Sequence, residues 1–366
     1  MAQANQSFSQ ATWQRLRKNK LAFAGLMVIL FSFIIAALGY LIAPDNSPFA
    51  DLQTVEIQAR KPGYEQLFLR LPVEEPARHN LLNTILHGKP PAFNYLPITA
   101  WTLKGDSMQV NKFVDEDTTI QQTFLIPGVN NGNAHTKSDY IIKRTFWLGT
   151  DAFGRDILSR IIIGTRVSLS VGLIAVLISL TLGILLGAVA GYYRGWIDEI
   201  IMWLINVTWS IPTLLLVFAF TMAAGKGFWQ IFIAVGLTMW VNVARLVRGQ
   251  MLAIKELEFV QAAKALGFTD GRIILRHILP NIAGPLIVIA AGNFATAIII
   301  EAGLSFLGIG VQPPQPSWGL MIKENYNFII TNNPLLALIP GIAIMILVLA
   351  FNLLGNGLRD AVDVKN

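Results

Sequence analysis

The 366-residue sequence contains no cysteine, which excludes disulfides, thiol nucleophiles and cysteine metal sites together. Histidine is scarce. His79, His87, His135 and His277 share no ligand spacing on a common helix, so neither a metal nor another cofactor is expected. Charge is short as well: Asp, Glu, Lys and Arg make up 14% of the chain, against roughly 25% in an ordinary soluble domain. Apolar residues reach 54% and mean hydropathy is +0.54, too apolar to leave polar surface for a soluble fold of this length. The net charge of +6 is the excess of a basic membrane protein, and no nucleic-acid partner is expected. A nucleotide site is missing too. Gly149 and Gly154 have the spacing of a phosphate loop, but Arg155 and Asp156 stand where the lysine and the hydroxyl are needed.

What the chain has is apolar length. Uncharged runs extend over Leu21 to Pro44, Val167 to Gly191, Ile200 to Gly225, Gly227 to Ala244, Ile278 to Ile300 and Asn325 to Leu358. Each reaches or approaches the ~18–20 residues a helix needs to cross a bilayer. The expected fold is therefore an all-α polytopic membrane protein with six spans, near 21–43, 167–191, 200–222, 228–245, 281–303 and 334–357. Thr118 to Thr136 is uncharged but rich in Asn and Gln, and is expected as a loop. Ala302 to Ile322 carries Pro313, Pro314 and Pro316 and is excluded as a span. The first apolar run, about 23 residues, exceeds a signal-peptide core and is read as a retained anchor.

Lys and Arg set the orientation. With the N-terminus inside, the short inner segments hold Arg15, Arg17, Lys18, Lys20, Arg194, Arg245, Arg248, Lys255, Lys264, Arg272, Arg276, Arg359 and Lys365, and the short outer loops only Lys226 and Lys323. Both termini are then cytoplasmic. Residues 1–20 form a basic tail with Trp13 as an interface anchor, and 358–366 a second tail. Residues 44–145 are an extracytoplasmic insertion long enough for a small subdomain of unspecified fold. Residues 146–166 read as an outer interfacial helix, with Ile157, Leu158, Ile161 and Ile162 at helical spacing. In span two, Gly172, Gly183, Gly187 and Gly191 include small-xxx-small spacing that favours close helix packing. Trp209 and Pro212 mark a kink in span three.

The inner loop 246–280 contains EFVQAAKALGFTDGRIILRHILPN. Glu258 to Leu266 consists of good helix formers, and Gly267 stands where a left-handed cap belongs. Thr269 or Asp270 can cap a second helix through Ile278, which Pro280 is expected to end. On physical grounds alone this is either a loop packed on its own bundle or a helical knob made to be pushed by a partner.

This segment resembles the Glu-Ala-Ala loop of ABC-importer permeases, with Ala262, Ala263, Gly267, Leu279 and Pro280 at matching spacing. WLGTDAFGRDILSRIIIGTRVSLSVG, IPTLLL, EAGLSFLGIGVQPPQPSWG and NLLGNGLRDAVD are similar to the second permease subunit of dipeptide, oligopeptide and nickel importers. The resemblance omits roughly 45–145. It implies a six-helix type I importer permease in a bacterial inner membrane, paired with a second permease as a heterodimer. It also implies two cytoplasmic ABC ATPases and an extracytoplasmic solute-binding protein. Phe259, Gln261, Ala262, Ala263, Gly267, Leu279 and Pro280 are the ATPase-coupling residues it points to, and the chain itself is then no enzyme. Gln261 departs from the family's usual glutamate, Trp203 and Asn206 from an expected Arg and Asp, and Asn356 from a usual Asp.

Four polar residues fall on the expected spans. Asn206, Asn242 and Asn293 either line a pathway or join helices. Glu301 either contacts a cationic substrate, or snorkels or caps the glycine-rich turn after it. An autonomous channel or an ion-coupled secondary transporter is the alternative function; it calls for more intramembrane charge or a clear internal repeat. Peptides, nickel chelates and other small solutes suit the apolar spans alike.

Overall fold

Asn19 separates the first two helices. Its side-chain Oδ1 accepts a hydrogen bond from the Ala22 amide, capping α2 (Lys20–Ile42) just after α1 (Phe8–Lys18) ends on Arg15, Arg17 and Lys18. The computed structural model describes residues 8–73, 80–104, 107–125, 140–225, 227–330 and 333–362. His79, His135, Lys226, Lys365 and residues 126–136 of the expected loop lie outside them.

Among the described residues, five helices are long and apolar enough to cross a membrane, or six with one bent pair taken as a single span. They are α2, α4 (Ile157–Tyr193), the bent pair α5 (Gly195–Trp209) and α6 (Thr213–Ala224), α7 (Phe228–Ile254), the run Asp270–Phe306 and α12 (Leu335–Val362). The membrane part is thus all-α and polytopic. One expectation changes, and the kink expected in span three is found as a break. The helix expected over 146–166 is not separate from span two: α4 is continuous for 37 residues, because nothing between Ile162 and Val167 breaks it. The third span is broken by 93° at Ser210–Pro212, where proline cannot continue the helix it follows.

The chain divides into two compact units, residues 1–33, 167–312 and 342–366 in one and 34–166 and 313–341 in the other. In the first, α7 is the central helix, with Ile231, Phe232, Val235, Val243, Val247 and Met251 fully buried. The glycine stripe of α4 explains how α7 comes so close. A Cβ on Gly183 would meet Val243 Cβ at 2.4 Å, and one on Gly187 the Ala244 carbonyl oxygen at 2.4 Å.

In the second unit the described residues of the insertion form strands β1 (Tyr64–Pro72), β2 (Phe93–Lys104), β3 (Ser107–Phe113), β4 (Thr119–Leu125) and β5 (Ile141–Phe146). They make one five-stranded antiparallel sheet, ordered β4-β3-β2-β1-β5. The first half of the expected loop 118–136 is therefore a strand; its glutamines sit on an edge of the sheet. Side chains alternate as strands require: Leu67, Leu69 and Leu71 pack on one face with Ile98, Met108 and Val110, and Phe68 on the other with Phe113, Phe146 and Ile57. Between β1 and β2 lies the short helix α3 (Leu81–His87), and after the sheet α11 (Trp318–Asn325) returns to this unit.

The glycine pair that imitates a phosphate loop shapes a turn instead. A Cβ on Gly154 would lie 1.7 Å from the Thr54 carbonyl oxygen, so only glycine fits. The turn delivers Arg155 into a buried ion cluster. Its guanidinium meets Asp151 at 2.7 Å, Asp51 at 3.1 Å and Glu324 at 2.6 Å, and Arg160 reaches Glu324 at 3.2 Å.

Candidate coupling site

The elbow in the first unit is built by one turn. α8 (Glu258–Ala265) ends with Gly267 at φ +77°, its amide bonded to the Lys264 carbonyl and the Phe268 amide to the Ala263 carbonyl. This is the paired 5→2 and 6→1 bonding of a Schellman cap, and it needs a residue that tolerates the left-handed region. Apart from its chain neighbours, no atom of the described residues lies within 4 Å of a Cβ built on Gly267, so backbone conformation and not crowding demands glycine.

Beyond the turn the chain is helical again from α9 (Asp270–Arg272), and Pro280 does not end it, contrary to expectation. A wider π turn over Ile273–Ile278 and a tighter turn over Leu279–Ile282 lead into α10 (Ala283–Phe306). The Leu279 amide reaches back to the Ile274 carbonyl, and the Asn281 side-chain amide donates to the His277 carbonyl at 2.6 Å. These bonds absorb the disturbance a proline makes inside a helix.

One face of the elbow is anchored and the other is presented. Val260 and Ala263 are buried with Met251, Ile273, Ile278 and Ile282, and Leu279 packs against them. Phe259, Gln261, Ala262, Leu266 and Pro280 are exposed. Of the alanine pair, only Ala262 therefore belongs to the presented surface. The Gln261 side-chain amide donates to the Lys255 carbonyl at 3.0 Å, on the exposed side.

Polar ties missed by the sequence reading hold the elbow. The Tyr192 hydroxyl donates to Asp270 Oδ1 at 2.6 Å, and Lys255 Nζ donates to the Tyr192 carbonyl at 2.5 Å. Burial beside the Arg194 and Lys264 charges holds the Lys255 ammonium below the usual lysine range. Arg248 grips Asp198 with two nitrogens, at 2.5 and 2.6 Å, joining α7 to α5. Arg245 lies 3.7 Å over the Trp209 ring and donates to Asn206 at 3.2 Å. Asn206 thus has an arginine partner from α7. The signal was in the sequence as Asp198, Arg245 and Arg248, but only the approach of α5 to α7 pairs them.

The remaining polar candidates separate. Asn242 is exposed on α7, whereas Asn293 is buried and donates to Ser179 Oγ at 3.4 Å, joining α10 to α4. Glu301 is fully buried and does not snorkel. It accepts from Ser305 Oγ at 2.7 Å, and that oxygen in turn accepts from the Val311 amide at 3.0 Å, so the carboxylate braces the glycine-rich turn.

Residues 183–365 match the binding-protein-dependent transport system inner membrane component family, and residues 7–59 the N-terminal TM domain of oligopeptide transport permease C. The chain belongs to this inner membrane component family. The elbow lies inside the first match, and the five-stranded sheet lies between the two. A glutathione transport system permease protein from Pectobacterium atrosepticum is 44% identical over 60% of this chain and 72% of its own length. A dipeptide transport system permease protein from Alkalihalophilus pseudofirmus is 38% identical over 75% of this chain and 93% of its own. An inward-facing methionine ABC transporter structure aligns over 55% of this chain and 96% of that one, at 18% identity and a TM-score of 0.46. As a component of such a transport system the chain is a multi-pass inner membrane permease, and systems of this kind include ATPase and solute-binding subunits.

Proposed function

We propose that this chain is the translocation subunit of an ATP-driven importer of peptides or similar small solutes, and that the elbow at Gly267 is its lever. The substrate class follows from the glutathione and dipeptide permeases it is similar to. The carrying observation is the division of the elbow into an anchored face, Val260 and Ala263, and a presented face, Phe259, Ala262 and Leu266. A force applied to the presented face passes through the hydrogen-bonded turn at Gly267, braced by Val260 and Ala263 against Ile273 and Ile278, into the helix that runs from Asp270 through Pro280 to α10.

In this reading two cytoplasmic ATPases receive the elbows of this chain and of a second, different permease. The solute-binding protein delivers the substrate on the opposite side, both termini are cytoplasmic, and ATP is hydrolysed only in the partners. Coupling requires that the ATPase hold the elbow differently in its open and closed states, since equal binding to both shifts nothing. Because the chain lacks cysteine, Ala262→Cys gives a unique label site. Crosslinking from that position to a copurifying ATPase, changed by ATP, is the expected result. Uphill solute transport by the purified chain without any ATPase would overturn the proposal.

A further inference from the structure

Helix α3, in the insertion between the first two membrane-capable helices, has an amphipathic face that the protein leaves bare. At about 100° per residue, Leu81, Leu82, Ile85 and Leu86 fall within one arc of about 140°. Asn83, Thr84 and His87 occupy the other side, where His87 Nδ1 and Asn83 Oδ1 lie 2.9 Å apart. None of the seven residues is buried; Leu81, Leu82 and Leu86 are 72%, 74% and 56% exposed. A helix this short is marginal in water, and one that exposes its leucines gains nothing there from its apolar side.

Its position names what covers that face. Gly88, which closes the helix at φ +82°, is so close to the end of α2 that a Cβ there would lie 2.9 Å from the Tyr40 ring and 2.9 Å from the Asn46 carbonyl oxygen. The Lys89 amide donates to that Asn46 oxygen at 2.8 Å. Arg166, on α4, donates to the Ile85 carbonyl at 2.9 Å and lies 5.0 Å from the Tyr40 ring centre. The short helix is therefore clasped at the end of α2, a helix of membrane-crossing length whose last turns expose Leu38, Leu41 and Ile42. Arginine, tyrosine and an exposed lysine beside an apolar helical face are the chemistry of a bilayer interface.

We infer that α3 is a lipid-seated foot: Leu81, Leu82 and Leu86 enter the acyl region of the leaflet reached by the C-terminal end of α2, with Lys89 at the phosphates. The foot fixes the height of the sheet insertion above the membrane. It does not depend on which side of the membrane that leaflet faces, nor on how the elbow works.

The test uses the absence of cysteine. Spin labels are placed singly at Leu82→Cys, Leu86→Cys and, as an aqueous reference, Glu116→Cys, whose side chain is 77% exposed. The full chain, assembled with partners stripped of cysteine, is studied in phospholipid nanodiscs. Collision with dissolved oxygen is expected to exceed collision with a water-soluble nickel chelate several-fold at 82 and 86, and the reverse at 116. Dominant nickel access at 82 and 86 would overturn the inference in favour of a solvated helix. Exclusion of both reagents there would overturn it in favour of a protein partner. Because no side chain of α3 is buried, these variants are expected to fold.

Discussion

The Tyr192 hydroxyl donates to Asp270 Oδ1 at 2.6 Å, tying the last turn of α4 to the first residue of the helix that follows the Gly267 turn. With Lys255 Nζ on the Tyr192 carbonyl, the elbow is held from two sides. In the coupling proposed above, movement of the elbow carries α4 and α10 together.

Tyr192→Phe keeps the ring and removes the tie to the carboxylate. A loss of about 1–2 kcal/mol is expected, at the low end for a bond to a charged group because the pair is part-exposed. Thermal unfolding in detergent checks it. Tyr192→Phe combined with Asp270→Asn is expected to cost little more than either alone, as partners in one bond do; simple additivity would separate the two residues.

Gly267→Val places a β-branched residue at φ +77° and strains the cap by more than the roughly 1–2 kcal/mol of an ordinary residue in that region. Uptake is expected to fall several-fold, ATP hydrolysis to lose its response to substrate, and the permease to remain in the membrane. Gly267→Asn, which tolerates the left-handed region better, is expected to recover most uptake. Normal substrate-stimulated hydrolysis in the valine variant counts against the lever.

Ser305→Ala and Glu301→Ala each break the chain of bonds that holds the Val311 amide. Both are expected to lower the amount of folded protein, with the double variant no worse than the Glu301→Ala single. Glu301→Gln, which keeps an acceptor oxygen, is expected to be milder and to leave substrate preference unchanged. A changed preference in uptake competition would assign Glu301 to the pathway instead.

In the ion cluster, Arg155→Met removes the nearest partner of both Asp151 and Glu324, at 2.7 and 2.6 Å, and leaves them only the longer contacts of Arg160 at 3.6 and 3.2 Å. A cost approaching the about 3–5 kcal/mol of breaking a buried ion pair is expected. Limited proteolysis of the sheet-bearing unit reports it, and the wild-type protection is expected to be insensitive to salt.

Asp156 caps α4 through Ser159, whose amide donates to its Oδ2 at 2.8 Å, and burial pushes its carboxyl above the ordinary range. A carboxyl raised in the folded state favours folding when protonated. This contribution grows as pH falls through the raised value, is complete below the unfolded value of about 3.9, and is absent above the folded value. Asp156→Asn, an equally good cap, is therefore expected to unfold at a temperature equal to or above wild type at pH 8. The difference should shrink or reverse as pH falls toward 4. A difference independent of pH would show that burial does not perturb this group.

The membrane helices were legible because lipid imposes one rule on the chain: apolar length without charge, with internal backbone pairing. The Gly267 cap was legible for a similar reason, since a turn with positive φ restricts a single position to glycine or asparagine. The alternation of Leu67, Leu69 and Leu71 was present in the insertion, but which strands lie beside β1 depends on partners up to about eighty residues away, such as Thr145 against Glu65.

The sequence alone determined the apolar spans and the turn at Gly267, because each depends on residues near one another in the chain. Tertiary structure decided which alanine of the pair faces outward, that Pro280 sits within a continuous helix, and that Arg155 enters an ion cluster instead of a phosphate loop. Those outcomes depend on what lies across the fold: the packing around Ala263, the π turn before Leu279, and Asp51 and Glu324 brought to the same point from opposite ends of the chain.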